Sequence, residues 1–179
     1  MLFGISLHGG NYSLTGPISS YVEKGSSLHF SINFRYSDLA AEVQILFGGI
    51  DLTTHGRGLH DLSGSIDFKT IRTSGRVIRV GYSPLDIKRM KFTSYLGAHS
   101  YSMYEHRFNN ITEPFKYKWG VEGALRLSFI IYNYNRGLCC AHHRLIVEMN
   151  VKHWNLEYLG FGYGTSYSIM FGYAIEGFL

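Results

Sequence analysis

Hydrophobic and polar residues alternate one for one through most of this chain, and each alternating run predicts a β-strand with two unlike faces. In the run 28–36, the apolar face is Leu28, Phe30, Ile32, Phe34 and Tyr36, and the polar face is His29, Ser31, Asn33 and Arg35. A helix would scatter these apolar residues around its circumference, whereas a strand places them all on one side. The pattern therefore indicates strands rather than helices.

Eight such runs follow one another. They lie at 3–7, 28–36, 41–47, up to 82, 92–103, 119–129, 144–152 and 167–176. The fourth is predicted to begin well before Ile78, because Ile66 and Phe68 share its parity. In the fifth run the facing is ambiguous, since either Phe92, Leu96 and Ala98 or Tyr95 and Tyr101 could point outward.

The connections alternate in length along the chain. Long links are predicted over 8–26, 48–65, 104–116 and 153–163, and short ones near 37–39, 83–89 and 132–142. Short turns at one end and long loops at the other are typical of outer-membrane barrels, where the short turns are periplasmic. An even strand count places both chain termini at the periplasmic end.

Alternation alone does not say which face is wet, and a soluble barrel of the lipocalin kind would bury its apolar face. Here the apolar faces end in Tyr36, Tyr82, Trp119 and Tyr173, as an interfacial aromatic girdle requires. We therefore predict an all-β fold with one domain over 1–179, an eight-stranded antiparallel up-and-down transmembrane β-barrel. The residues predicted to contact lipid are Phe34, Val43, Val80, Leu125, Val147 and Phe171.

The polar faces carry isolated charges of both signs. They are Arg35, Arg79, Arg126, Arg144 and Lys152 against Glu42, Glu122, Glu148 and Glu176. Because side chains fill the interior of an eight-stranded barrel, we expect these nine residues to meet in the lumen as a charge network. A plug of ion pairs is favoured over a path for protons or ions, since unpaired buried charge is costly.

Composition agrees with strands and narrows the function classes. Of 179 residues, 14 are Tyr, 12 are Phe and only 3 are Pro, and no apolar run has the length of a spanning helix. A net charge of +4 with 17% charged residues is too dilute for a nucleic-acid binder. The first residues lack the basic and apolar regions of a signal peptide, so we expect that any such peptide has already been removed.

Two stretches resemble a known family. Val80-Gly81-Tyr82-Ser83-Pro84-Leu85-Asp86 with Lys91-Phe92-Thr93-Ser94-Tyr95-Leu96-Gly97 is similar to a strand–turn–strand of the OmpA-like superfamily of small outer-membrane barrels. Gly164-Thr165-Ser166-Tyr167-Ser168-Ile169-Met170-Phe171-Gly172-Tyr173 resembles their last strand. The resemblance implies a bacterial outer-membrane location. The chain departs from that pattern at its end, where Phe178 falls on the opposite face from Tyr173 and Leu179 is last.

Candidate chemistry is sparse. His29-Phe30-Ser31 has the His-x-Ser spacing found in lipid A deacylases, which use a Ser nucleophile and a His base, but it lies on the polar face. Cys139, Cys140, His142 and His143 are ligand types for Zn or Cu, placed in a predicted turn, where a plain turn with reduced thiols is favoured. We therefore expect no cofactor, no metal and no catalytic group.

The expected function is a structural or accessory role, as a subunit or partner of a larger outer-membrane secretion or uptake assembly, and not a pore. An adhesin-type barrel that binds surface ligands is the alternative, and a lipid A- or phospholipid-modifying enzyme is a weaker one. Expected partners are outer-membrane lipid, lipopolysaccharide and other outer-membrane proteins, with no nucleic acid. Arg72 and Arg76 are predicted to point outward at the outer rim, where they would contact lipopolysaccharide phosphates or an acidic partner.

Overall fold

A computed structural model describes residues 1–20, 24–47, 52–53, 70–87, 89–107, 110–111, 118–136, 139–155 and 163–178. Eight long strands dominate it: β1 Leu2–Thr15, β2 Lys24–Tyr36, β3 Leu39–Phe47, β4 Thr70–Ile87, β5 Met90–Arg107, β6 Lys118–Arg136, β7 Cys139–Asn155 and β8 Tyr163–Phe178. A single 3₁₀ turn, Pro17–Ser20, and two two-residue strands, Leu52–Thr53 and Asn110–Ile111, complete the described elements. Among these residues, no helix has the length and hydropathy needed to span a bilayer.

The sheet closes on itself. Each strand pairs antiparallel with the next one along the chain, and β8 pairs with β1 from Leu2 opposite Phe178 to Thr15 opposite Thr165. The directly paired residues run Tyr36, Leu39, Tyr82, Ser94, Leu125, Met149, Ile169, Asn11 and Ser26 around the barrel. This row returns to β2 at residue 26 instead of 36, a stagger of ten residues that tilts every strand. The fold is therefore a closed, tilted up-and-down barrel.

The barrel is apolar outside and polar inside. Outward side chains such as Val80 (65% exposed), Phe171 (64%) and Leu125 (49%) form an apolar belt, whereas Arg79, Glu148 and Gln44 are at most 1% exposed. A soluble barrel has the reverse arrangement. Because a closed barrel also satisfies its backbone hydrogen bonds internally, the belt is suited to contact with lipid.

The belt has the height of a membrane core. On β6, ten residues separate the outward Trp119 from Phe129, and at about 3.3 Å a residue with a strand tilt of about 40° this is roughly 25 Å. That matches the apolar band of outer-membrane barrels. Trp119 is 63% exposed at one edge, and Tyr36 (73%) and Tyr173 (40%) lie near the other, as an aromatic girdle does.

Two predicted turns are strands instead. The prediction of a turn over 83–89 is wrong because β4 continues to Ile87 through a register shift between Tyr82 and Leu85, and Pro84 lies within that shift. The prediction of a turn over 132–142 is wrong because β6 reaches Arg136 and β7 begins at Cys139, with a second shift between Ile130 and Tyr132. Each bulge breaks the alternation, which is why the pattern stopped short of the true strand ends.

The first strand is longer than predicted. The sequence indicated 3–7 with a link over 8–26, but β1 runs to Thr15 and β2 begins at Lys24. Gly9, Gly10 and Asn11 look like turn residues, yet Gly10 lies where a side-chain carbon would collide with the backbone carbonyl of Ile169 on β8. The glycine therefore allows close approach of two strands and does not mark a turn.

The other links also change in length. β5 continues to Arg107 and β7 to Asn155, so the links predicted over 104–116 and 153–163 begin later than expected. The link predicted over 48–65 includes the two-residue strand Leu52–Thr53, which pairs with β4, and most of its other residues lie outside the described part of the chain. Only the turn near 37–39 matches closely, with Ser37 in the left-handed region at φ 52°.

Candidate functional site in the barrel interior

Period-two geometry brings the polar faces of all eight strands to one axis. The structure places all nine residues of the predicted charge network inside the barrel, each at most 8% exposed: Arg35, Glu42, Arg79, Glu122, Arg126, Arg144, Glu148, Lys152 and Glu176. They form three groups along the axis. The middle group is the largest.

The middle group is a four-residue ion cluster, Glu42, Arg79, Arg126 and Glu148. Arg79 Nη2 lies 2.9 Å from Glu42 Oε1 and 2.7 Å from Glu148 Oε2, and Arg126 Nε lies 2.6 Å from Glu148 Oε2. Arg126 Nη2 donates to Glu42 Oε1 at 2.9 Å. Each arginine therefore bridges both carboxylates, and the charges of the four side chains cancel.

Register explains half of these contacts. Glu42 and Arg79 are directly paired across β3 and β4, and Arg126 and Glu148 across β6 and β7, so each pair forms along the barrel wall. The contacts of Arg79 with Glu148 and of Arg126 with Glu42 instead cross the lumen. These cross-lumen contacts tie four strands together through one cluster.

Tyr95 fills the space beneath the two guanidinium groups. Its ring centroid lies 4.3 Å from Arg79 Cζ and 4.9 Å from Arg126 Cζ, and its hydroxyl accepts a hydrogen bond from Arg126 Nη1 at 3.2 Å. Gly81 makes room for this ring, because a side-chain carbon there would lie 2.6 Å from Tyr95 Cδ1. The sequence left the facing of Tyr95 open, and the structure places it inside, with Leu96 and Ala98 outside.

A second group lies toward the end with both termini. Glu176 Oε2 is 3.3 Å from Arg35 Nη1 and 2.7 Å from Arg144 Nε. The buried Lys91, which sequence reasoning missed, pairs with the half-exposed Asp86 at 3.2 Å at the same end. Lys91 shares the parity of Thr93 and Tyr95, which the structure places inside and which the sequence left undecided.

The third group lies toward the opposite end. Lys152 Nζ is 3.3 Å from Glu122 Oε2, its direct neighbour across β6 and β7, and Glu122 Oε1 lies 3.5 Å from Arg79 Nη1. Asn150 accepts a hydrogen bond from Arg79 Nη1 at 3.2 Å. Arg79 therefore connects this group to the middle cluster.

Histidines also line the lumen. His8 and His29 are directly opposite on β1 and β2 and at most 2% exposed, and Ser31 is fully buried beside them. His8 Nε2 lies 2.7 Å from Ser6 Oγ, which also accepts a hydrogen bond from Asn33 Nδ2 at 3.1 Å. Sequence reasoning missed His8 because it ended the first strand at residue 7, and it did not single out Ser6 although that residue lies on the inward parity of the predicted strand 3–7. Every one of these hydroxyl and imidazole groups faces the lumen and not the lipid.

The Cys–His stretch is part of β7 and not of a turn. His142 Nδ1 lies 2.7 Å from Asn133 Oδ1, while His143 lies on the outer face in contact with the Tyr173 hydroxyl and the Tyr132 ring. Successive residues on a strand point to opposite faces, so these ligand types diverge. Among the described residues, no group of three or more His, Cys, Asp or Glu side chains could hold a metal ion.

The rim prediction is only partly within the described residues. Arg76 is exposed on the outer face of β4, two residues beyond Ile78. The backbone of Arg72 belongs to β4, but its side chain lies outside the described residues, and so do Ile66 and Phe68.

This closed barrel, with its apolar exterior and charge-filled interior, has the fold of the small eight-stranded outer-membrane barrels. The chain is similar to Neisserial surface protein A, with 12% identity, a TM-score of 0.68, and coverage of 97% of this chain and 96% of that one. It is also similar to the outer-membrane protein OprG from Pseudomonas aeruginosa, with 10% identity, a TM-score of 0.51, and coverage of 97% and 95%. No protein-family model matches the chain, and no curated protein sequence is significantly similar to it.

Proposed function

We propose that the chain is a bacterial outer-membrane barrel with a structural or accessory role, as a subunit or partner of a larger secretion or uptake assembly, and that it forms neither a pore nor an active site. The observation that carries this proposal is the ion cluster of Glu42, Arg79, Arg126 and Glu148. Its four side chains are at most 4% exposed. They connect β3 and β4 to β6 and β7 across the lumen.

A pore needs a water column that ions can follow, and this cluster supports a closed lumen instead. Eight strands enclose a space that side chains fill. Ion pairs at 2.6–2.9 Å leave no gap for a hydrated ion between the partners. If the interior neither conducts nor reacts, the surfaces available for function are the outer wall and the two ends.

Planar-bilayer recording tests the closed lumen. The purified barrel should give no steady conductance, and neither should the matched outer-face variant Arg76→Gln. Steady conductance that changes on replacing Arg79 or Glu148, while Arg76→Gln leaves it unchanged, would show an open lumen and would overturn the proposal.

Native electrophoresis of membranes dissolved in mild detergent tests the accessory role. We expect the barrel to migrate in a complex larger than itself and to be released from it by stronger detergent. If the chain migrates alone at all detergent strengths, and also after chemical cross-linking in intact cells, the accessory role is wrong.

We also propose a lipopolysaccharide contact at the outer rim through Arg72 and Arg76. The exposed Arg76 lies beyond the apolar residue Ile78 on β4. Arg76 pairs with Ser100 of β5, and Ser100 pairs with Trp119 of β6, which lies at the edge of the belt. Arginine binds phosphate with forked geometry, and lipopolysaccharide carries phosphates at headgroup height. An acidic partner protein is the alternative ligand for the same two charges.

Charge reversal tests this contact. Arg72→Glu with Arg76→Glu should lower the lipopolysaccharide retained per mole of purified barrel, whereas Arg89→Glu, an exposed arginine at the opposite end, should not. Equal amounts of lipopolysaccharide retained by the unsubstituted barrel, the double variant and the Arg89→Glu control would refute the contact.

A further inference from the structure

The hairpin of β6 and β7 extends well beyond the neighbouring strand β5. β5 begins at Met90, which pairs with Phe129, and the last described contact on that side is the hydrogen bond from Ile130 N to Arg89 O at 2.7 Å. β6 nevertheless continues to Arg136, paired with Cys139 of β7. Ile131 lies in the bulge, and 132–136 pair with β7 alone, so within the described residues 131–136 have no strand partner on the β5 side, over about 20 Å at roughly 3.3 Å a residue.

This free edge, residues 131–136, shows little of the protection that natural sheet edges carry. Proline, inward charges, bulges and short length are the usual means of blocking an edge, and of these the segment has the bulge at its start. Three of its six side chains are large, apolar or aromatic and exposed, Ile131 at 52%, Tyr132 at 57% and Tyr134 at 39%, and the segment contains no proline. The bulge between Ile130 and Tyr132 separates this edge from the barrel wall, as bulges do where pairing ends.

The free edge lies outside the apolar belt. It is at the end with the short turns and both termini, which faces the periplasm in outer-membrane barrels. The belt ends near Phe129, so the edge projects into the headgroup region and the water beyond it. Outside the belt, the backbone N–H and C=O groups of this edge can bind water until a protein segment pairs with them. In the hydrocarbon core, the same unpaired groups would be costly.

A second copy of this chain does not fit the edge. Two barrels in one membrane are related by an axis along the membrane normal, and both edges then descend at about 40° to that axis. The two strands would cross at roughly 80° and could not form a hydrogen-bonded ladder. The occupant must therefore come from a different molecule with a strand free to align.

Charge indicates the chemistry of that molecule. The segment 123–147 contains no Asp or Glu, while its hairpin carries Arg136, His142 and His143, and the neighbouring turn carries the exposed Arg89. The carboxylate of that turn, Asp86, is already paired with Lys91. An acidic segment would complement this end of the hairpin.

We propose that residues 131–136 are a docking edge on which an extended acidic segment of a periplasmic protein adds a strand to the barrel. Main-chain hydrogen bonds supply the attachment, as in other cases of strand addition, and the basic residues of this end, among them the exposed Arg89, select an acidic sequence. This proposal rests on the accessory role proposed above and names the surface and the class of partner. Its test measures peptide binding to the purified barrel and does not depend on the complex sought by native electrophoresis, so the two proposals can fail separately.

The probe is a short acetylated and amidated peptide of alternating Val and Glu, titrated into the barrel in detergent micelles. We expect saturable binding, slowed hydrogen exchange at amides of 131–136, and no binding of the matched Val–Lys peptide. Two further peptides have the Val–Glu sequence, one with N-methyl groups on every Val and the other with N-methyl groups on every Glu. Because a strand pairs through alternate amides, one of these peptides should bind at least about tenfold more weakly than the unmethylated peptide. The other should bind with unchanged affinity.

Proline substitutions test the same edge from the protein side. The N–H groups of Asn133 and Tyr134 point in opposite directions, so one of Asn133→Pro and Tyr134→Pro removes a donor from the open side without removing one from the ladder to β7. That variant should fold and bind the peptide about tenfold more weakly. If neither proline variant folds, the comparison of the two N-methylated peptides on the unsubstituted chain still tests the proposal.

Three results would overturn the proposal. Absence of binding by the Val–Glu peptide is the first. Equal binding of both N-methylated peptides is the second, since it shows a purely electrostatic contact. The third is slowed exchange at 131–136 in lipid vesicles containing phosphatidylglycerol, with no further change on adding peptide, because the edge then binds lipid headgroups.

Discussion

Replacing Arg126 with methionine tests whether the ion cluster stabilises the barrel. Methionine keeps most of the volume of the side chain and removes its charge. Arg126 contacts Glu148 at 2.6 Å, Glu42 at 2.9 Å and the Tyr95 hydroxyl at 3.2 Å, and it is 4% exposed. Without it, Arg79 faces both carboxylates alone, and the cluster carries one uncompensated negative charge.

The expected loss is large for a single substitution. Breaking a buried pair by removing one partner costs about 3–5 kcal/mol, because the remaining charge stays buried without compensation. With a denaturant slope of about 2 kcal/mol/M, the urea midpoint should fall by roughly 2 M. Glu148→Gln in the same chain restores neutrality, so the double variant should be more stable than Arg126→Met alone.

Equilibrium unfolding in urea, with the barrel in lipid vesicles, measures these changes. The chain has two tryptophans, Trp119 and Trp154, whose fluorescence reports unfolding. Arg76→Met serves as the exposed control and should change the free energy of unfolding by less than about 0.5 kcal/mol. A loss under about 1 kcal/mol for Arg126→Met, or a double variant less stable than the single one, would refute the stabilising role of the cluster.

The remaining predictions concern the wall and the interior. Val147→Arg, near the middle of the belt, should cost about 2–4 kcal/mol, whereas His153→Arg on the same outer face at the rim should cost at most about 1 kcal/mol, and equal effects would contradict the lipid-facing assignment. Circular dichroism should be strand-dominated, and the folded barrel should change its apparent mass on boiling; a helical spectrum would contradict the fold. Tyr95→Phe should lose about 1 kcal/mol with the hydrogen bond from Arg126, measured by the same unfolding assay, and an unchanged stability would show that this bond contributes nothing.

The sequence predicted the facing of most of the wall because lipid imposes one constraint on every outward position. Within the height of the apolar belt, a charged side chain that points toward lipid is costly, so apolar and polar residues alternate strictly. The outward facing of Phe34, Val80 and Phe171 could therefore be identified from the pattern. The nine inward charges were found by the same parity. Their partners were not, since cross-lumen contacts depend on the ten-residue stagger, which no local pattern encodes.

The facing of aromatic residues that point inward was a second feature that the sequence could not predict. Tyr suits a lipid-facing girdle as well as a packed interior, so the parity of Tyr95 could not be decided from its chemistry. The deciding feature is a glycine on the adjacent strand, Gly81, which leaves room for the ring beside Arg79. Recognising this requires knowing that residues 81 and 95 are opposite each other, and that pairing follows a bulge that the sequence pattern had interpreted as a turn.

The segments that alternation failed to identify lie where the lipid constraint ends. Residues 131–136 are outside the belt, so both faces of that strand meet water, headgroups or protein, and nothing forces an apolar–polar period. The hairpin was therefore predicted as a turn, although its strands pair from Tyr132 opposite His143 to Arg136 opposite Cys139. Residues outside the belt do not have to face lipid, so their side chains can be selected for contact with another molecule. Because side chains fill the lumen, the two ends of the barrel are the surfaces most accessible to such a molecule. A strand edge that has no neighbour within the described residues and exposes Ile131 and Tyr134 is for this reason a better candidate for function than the regular wall above it.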